Sequence, residues 1–132
     1  MAVSYKFMPQ YSAVIARASG LLTREDIIGF LSSLAIDTKI PLNHITLFDA
    51  SRINDFVLAP DDIEEIVSFV KAGGQKIVAK KLAIITRGRK ETELAEKYEK
   101  LAAAFQEGTI VFYHHDLACK WLGIPEEVIK ES

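Results

Sequence analysis

Two carboxylates, a hydroxyl, a guanidinium and an amide crowd into one short stretch, at Asp49, Ser51, Arg52, Asn54 and Asp55. Paired acids beside a basic group are raw material for acid–base chemistry, and Ser51 and Arg52 suit a polar ligand. The plainer reading is a polar loop that caps itself through its Asp and Asn side chains. No acid, base and nucleophile set can be assembled from the sequence around them. The functional reading retained for Asp49, Ser51, Arg52 and Asp55 is therefore contact with a ligand or partner, with no catalytic residue assigned. A small enzyme using Asp49 and Asp55 is the lesser alternative.

A second cluster is basic. Seven Lys or Arg residues and no acid lie between Lys71 and Lys90. Arg87, Arg89 and Lys90 follow an apolar strand and open a helix, where backbone amides and the helix dipole favour an anion. The alternative is a solvated face balanced by Glu91, Glu93, Glu96 and Glu99. Neither GGQK nor RGRK has the glycine–lysine–hydroxyl spacing of a phosphate loop. Nor does any aromatic residue interrupt the basic stretch, which argues against nucleic acid as partner. His114-His115-Asp116 lacks a converging ligand set, since His44 is the only other histidine, so no metal or cofactor is expected. Cys119, on a short apolar helix, reads as a small buried hydrophobe.

These residues need positioning elements. HITLFDA, residues 44–50, is too apolar for a strand exposed on one face and reads as a central strand. SRIND reads as the loop that follows it, then FVLA as a step into a helix opened by Pro60 with Asp61 and Asp62 in its first turn. Upstream, Val3, Tyr5 and Phe7 alternate with polar residues and pair with Tyr11–Ala18 as a hairpin. Thr23 and Asp26 mark a capped helix running to Ile36, with Leu22 and Ile27 at staple positions. Downstream come a strand Lys81–Thr86, a helix Lys90–Gln106, a strand Thr109–Tyr113 and a helix Asp116–Leu122, with a last turn from Pro125. The order ββαβαβαβα implies an α/β fold: one domain, a five-stranded mixed sheet flanked by about four helices, with parallel pairs after the hairpin.

The chain's 132 residues suit one such domain, 49% hydrophobic and 26% charged. A net charge of −2 gives no general attraction to nucleic acid or membrane. The N-terminus lacks the apolar core of a signal peptide, and no window could cross a membrane as a helix. One cysteine excludes an intrachain disulfide and fits a cytoplasmic setting.

Five features in this order, GLLTREDI, ITLFDA, FVLAPDDI, KLAIIT and VFYHHDLACKWLG, resemble the SpoIIAA-like family. That family is related to STAS domains and shares its general fold with the lipid-binding domain of Sec14-type proteins. The resemblance implies a binding or regulatory role rather than catalysis. It also implies an acid capping the last helix near His114. In the phosphorylatable anti-sigma-factor antagonists a serine stands at the step into the second helix. Here that step is Leu58-Ala59-Pro60, which has no hydroxyl, so the phosphoswitch does not carry over.

The expectation is a non-enzymatic domain acting through a protein partner, a second copy, or a small apolar or anionic ligand, with a Sec14-like ligand carrier as the alternative. A deep apolar pocket between helix and sheet would favour carriage. Ile45, Leu47, Leu82, Ile84, Ile110 and Phe112 are expected to be largely buried. Trp121 and Leu117 are expected to pin the last helix to the sheet.

Overall fold

In the computed structural model, which describes residues 2–106 and 108–130, the alternation at the start of the chain becomes β1 (Val3–Met8). It pairs antiparallel with β2 (Ala13–Thr23) across a single 3₁₀ turn at Pro9–Tyr11. The remaining elements are α1 (Arg24–Ile36), β3 (Ile45–Val57), α2 (Pro60–Gly73), β4 (Lys81–Ile85), α3 (Arg89–Ala102), β5 (Gly108–Phe112), α4 (His115–Leu122) and α5 (Glu127–Lys130). The sheet order is β1-β2-β3-β4-β5, parallel from β2 onward. With neighbouring strands linked in sequence, right-handed crossovers put α1, α2 and α3 on one face.

The helix ends follow from local chemistry. The Thr23 backbone N–H donates to the Asp26 carboxylate, and the Thr23 hydroxyl accepts from the Asp26 N–H, a reciprocal cap on α1. Pro60 takes the first position of α2, and the Asp62 carboxylate accepts the Ala59 N–H at 2.8 Å. The Lys76 ammonium donates to the Asp37 and Ile40 carbonyls, both at 2.6 Å, tying down the loop that leaves α1. Gly123, with φ +77°, ends α4 in a conformation that side chains with a Cβ rarely adopt.

Two cores flank the sheet. Val14, Ala16 and Ala18 of β2 face Phe30, Leu34, Ile63, Ile66 and Val70 from the helix layer. On the other face Ala13, Ile15, Leu47, Ala83 and Ile85 meet Ala118, Cys119 and Leu122 of α4, with Val128 and Ile129 of α5.

The structure departs from the sequence reading in four places. Ser51–Asp55 is not a loop, because β3 continues to Val57 and pairs with the far half of β2, Ser19 opposite Arg52 and Thr23 opposite Val57. α3 stops at Ala102 rather than Gln106, and the Gln106 side chain instead bonds the Ala79 carbonyl and the Thr109 hydroxyl. Of the six residues expected inside, Leu47 is buried, Ile45, Leu82, Ile84 and Phe112 are half-buried, and Ile110 is exposed at 37%. β5 is the sheet edge, which leaves Ile110 uncovered. Leu117 points outward at 49% exposure, since α4 turns Ala118, Cys119 and Leu122 to the sheet.

Candidate functional site

The helix-side face of β3 carries Thr46, Phe48, Ala50, Ile53 and Phe56, which line one pocket together with Leu58 just beyond the strand. Ordinary alternation would place every second residue there. The steps from Ala50 to Ile53 and from Ile53 to Phe56 are three residues instead. Each carries one extra residue on β3: Arg17 and Ser19 pair with Asp49 and Arg52, and adjacent Gly20 and Leu21 pair with Ile53 and Asp55. Two β-bulges thus keep apolar side chains turned toward the helices along the whole strand.

The pocket they line lies between the end of β2, β3, β4 and the helices α1, α2 and α3, with a volume of about 130 Å³. Around Leu34, Val70, Ile77, Ala79 and Gln106 its wall is closed. Ile53, Phe56, Leu58 and Leu94 are only half-buried, so it opens toward the carboxyl ends of the strands. This is the end of a parallel sheet where ligands bind in open α/β folds. Exposed ion pairs join the helices above it, Arg24 to Asp62 and Glu65 between α1 and α2, and Glu64 to Lys97 between α2 and α3.

Few polar groups reach the lining. At the closed end the Gln106 amide donates to the Ala79 carbonyl, while its oxygen accepts from Thr109 and, at 3.4 Å, from Tyr98. Burial pushes the Tyr98 phenol well above its usual range, so it stays protonated. At the open end Thr86 and Thr92 hydroxyls lie 2.7 Å apart, and Thr92 donates to the Gly88 carbonyl at 2.7 Å. The Glu91 carboxylate accepts the Gly88 N–H at 3.0 Å.

Asp49, by contrast, turns to the opposite face. It is 2% exposed, and its Oδ1 accepts the Ser51 hydroxyl at 2.6 Å and the Ser51 N–H at 2.9 Å. Its Oδ2 stands 2.8 Å from His115 Nε2. Burial alone would raise the Asp49 carboxyl, but the Ser51 and His115 bonds outweigh it and hold it below its usual value. The serine hydroxyl donates to the carboxylate rather than to the imidazole, so the histidine is not placed as its base. Chemically the group is a latch between β3 and the first residue of α4. The sequence reading missed His115 as the partner of Asp49. His114 is the cap position of α4 and no side chain caps it, so the capping acid implied by the resemblance is absent there.

The other sequence candidates do not converge with Asp49. Arg52 and Asp55 are exposed on β3, and Asp55 accepts the Phe56 N–H at 2.8 Å. Arg87, Arg89 and Lys90 are exposed around the start of α3, where Arg89 stands 3.7 Å from Glu93. Two of the seven cations serve elsewhere: Lys76 in the loop after α1, and Lys81, whose ammonium lies over the Trp121 ring, 5.2 Å from its centroid. Trp121 is half-buried against Phe112, with ring centroids 5.9 Å apart. Cys119 is buried at 1%, and burial, reinforced by nearby carboxylates, pushes its thiol up to about 11, which disfavours the nucleophilic thiolate.

The described residues hold no group of three or more His, Cys, Asp or Glu side chains able to bind a metal, and no helix long and apolar enough to cross a membrane. No family model and no curated protein matches the chain. Its fold does match the crystal structure of an uncharacterised DUF3478-family protein from Shewanella loihica with a SpoIIAA-like fold. The TM-score is 0.57 and the identity 20%, over 92% of this chain and 94% of that one. The chain therefore has the SpoIIAA-like fold. Likeness at this identity speaks to the fold alone, and the site must be argued from its own residues.

Proposed function

We propose that this chain is a non-enzymatic binding domain that holds a small apolar ligand between its helix layer and its sheet. The observation that carries the reading is the apolar pocket of about 130 Å³ opening at the carboxyl ends of the strands. Its size is close to the ~150 Å³ engineered cavities that stay dry and take up benzene. It is smaller than the ~300–1,000 Å³ of a drug-sized site, so the occupant is one ring or one chain. Of the 24 lining residues only Thr46, Thr86, Glu91, Tyr98 and Gln106 are polar, so most of the occupant's contact is apolar.

Asp49 and Asp55 give the enzyme alternative little support. Asp49 is engaged on both oxygens, and Asp55 lies exposed on β3 with one oxygen on its neighbour's amide. An anion bound by Arg87, Arg89 and Lys90 would lie in solvent among Glu93 and Glu96.

Ala95 lines the pocket from α3 at 8% exposure, and Ala95→Leu would fill part of it. Octanol titrated into the protein should shift the methyl NMR signals of Ile84 and Leu94. Ala95→Leu should abolish those shifts while leaving the urea midpoint unchanged or raised. Undiminished binding by the filled variant, or wild-type shifts scattered over the surface, would sink the reading. Native mass spectrometry of the purified protein should show a small molecule retained at one per chain.

A further inference from the structure

The hydroxyl protons at the pocket mouth can be assigned. The Gly88 carbonyl can only accept, so the single Thr92 proton points to it at 2.7 Å. The 2.7 Å contact between Thr86 and Thr92 must then be made by the Thr86 proton. Thr86, 2% exposed, is in the wall, and its oxygen is left with lone pairs only. Glu91, also in the wall, commits Oε2 to the Gly88 N–H, and Oε1 has no hydrogen-bond partner among the described residues. A carboxylate is also acceptor-only. Glu91 is the one charged residue in the wall, and no Lys or Arg among the described residues lines it.

We infer that the mouth of this pocket selects a single-chain amphiphile whose head group donates hydrogen bonds, a primary alcohol or an alkylammonium, and turns away the carboxylate of the same length. The inference rests on the carrier reading above and adds the head-group chemistry. A hydroxyl or ammonium head at the mouth satisfies Thr86 and Glu91 while its chain lies along β3 and β4. A carboxylate head meets two acceptors and a like charge in a half-buried setting, where such a juxtaposition is costly. Thr46, about 13 Å away down the strand, has a hydroxyl that serves either way and does not discriminate. The exposed cations Arg87 and Lys90 lie outside the wall, and Arg89 is beside Glu93.

Octanol, octylamine and octanoate, titrated into wild type and Glu91→Gln with methyl NMR as readout, test this. The substituted amide keeps an acceptor and can still reach the Gly88 N–H through its oxygen, so the start of α3 is preserved. Wild type should bind octanol and octylamine at least about tenfold more tightly than octanoate, a ratio set by roughly one unwanted contact. In Glu91→Gln the octanoate gap should shrink to below about threefold, and octylamine should weaken, since the substitution removes the charge and the acceptor that an ammonium head meets. Octanoate binding as tightly as octanol, or a gap that survives Glu91→Gln, overturns the inference and leaves the carrier reading standing. Pocket methyl signals unmoved by all three ligands overturn the carrier reading itself. Octanoate shifts confined to the start of α3 would assign the exposed cations as an anion site and also count against the inference.

Discussion

His44 shows how one side chain couples this fold to pH. It is fully buried at the start of β3, with Nδ1 2.9 Å from the Pro41 carbonyl. That carbonyl requires the proton on Nδ1, which leaves Nε2 as a bare lone pair with no partner among the described residues. Burial is the largest influence and lowers the His44 pKa. The unfolded chain therefore takes up a proton near pH ~6.5 while the folded chain does not. Stability should fall as pH drops below about 6.5, until the lowered folded value is reached. The lowered Asp49 carboxyl adds a second loss, beginning only below about pH 4. Urea midpoints between about pH 5 and 7 should show the first slope, and His44→Gln should flatten it. A slope unchanged in that variant would exclude His44 as its source.

Among the elements, α4 is the one whose attachment the sequence misassigns. The octet His115–Leu122 is too short to be stable alone, so tertiary contacts must hold it. Sequence spacing points to Leu117 and Trp121 as its resting face. The helix rests instead on Ala118, Cys119 and Leu122, with Asp49 bonded to His115 at its first residue. Helical periodicity cannot choose between these faces, because apolar residues run around most of α4. Trp121 covers the rim of the second core beside Phe112 and under Lys81. Trp121→Ala should cost about 2 kcal/mol, below the ~3–5 kcal/mol typical of a fully buried aromatic. Urea unfolding of the mutant measures it. A loss under about 0.5 kcal/mol, the scatter of surface substitutions, would remove Trp121 from the attachment altogether.

Much of the whole molecule was legible in the sequence. Caps at Thr23 and Pro60 and apolar runs at residues 45–48 and 82–85 place the helices and the strand order. What resisted reading was non-local. The Asp49–His115 bond spans 66 positions, and the pocket is assembled from three helices and three strands. One signal for the pocket was present: Phe48, Ala50, Ile53, Phe56 and Leu58 fit neither strand nor helix spacing until the bulges are known. Ala59 occupies the cap position of α2 and has no hydroxyl to accept a phosphoryl group. Incubation with an anti-sigma kinase and ATP should leave residues 51–68 free of phosphate on peptide mapping. Stoichiometric phosphate at Ser51 or Ser68 would show a switch of another kind.

The paired bulges of β3 act as slack taken up in the strand. Side chains on a strand alternate with period two, so a residue added without a bulge inverts every facing beyond it. A bulge absorbs the extra residue and keeps the facing beyond it. Asn54 is the extra residue between the Gly20–Ile53 and Leu21–Asp55 pairs. Deleting it leaves Ile53 and Phe56 two positions apart, the ordinary spacing of one face. Phe56 and Leu58 should then still line the pocket, and octanol should still shift its methyl NMR signals. A pocket closed to octanol in the Asn54 deletant would show that the second bulge does not carry the facing.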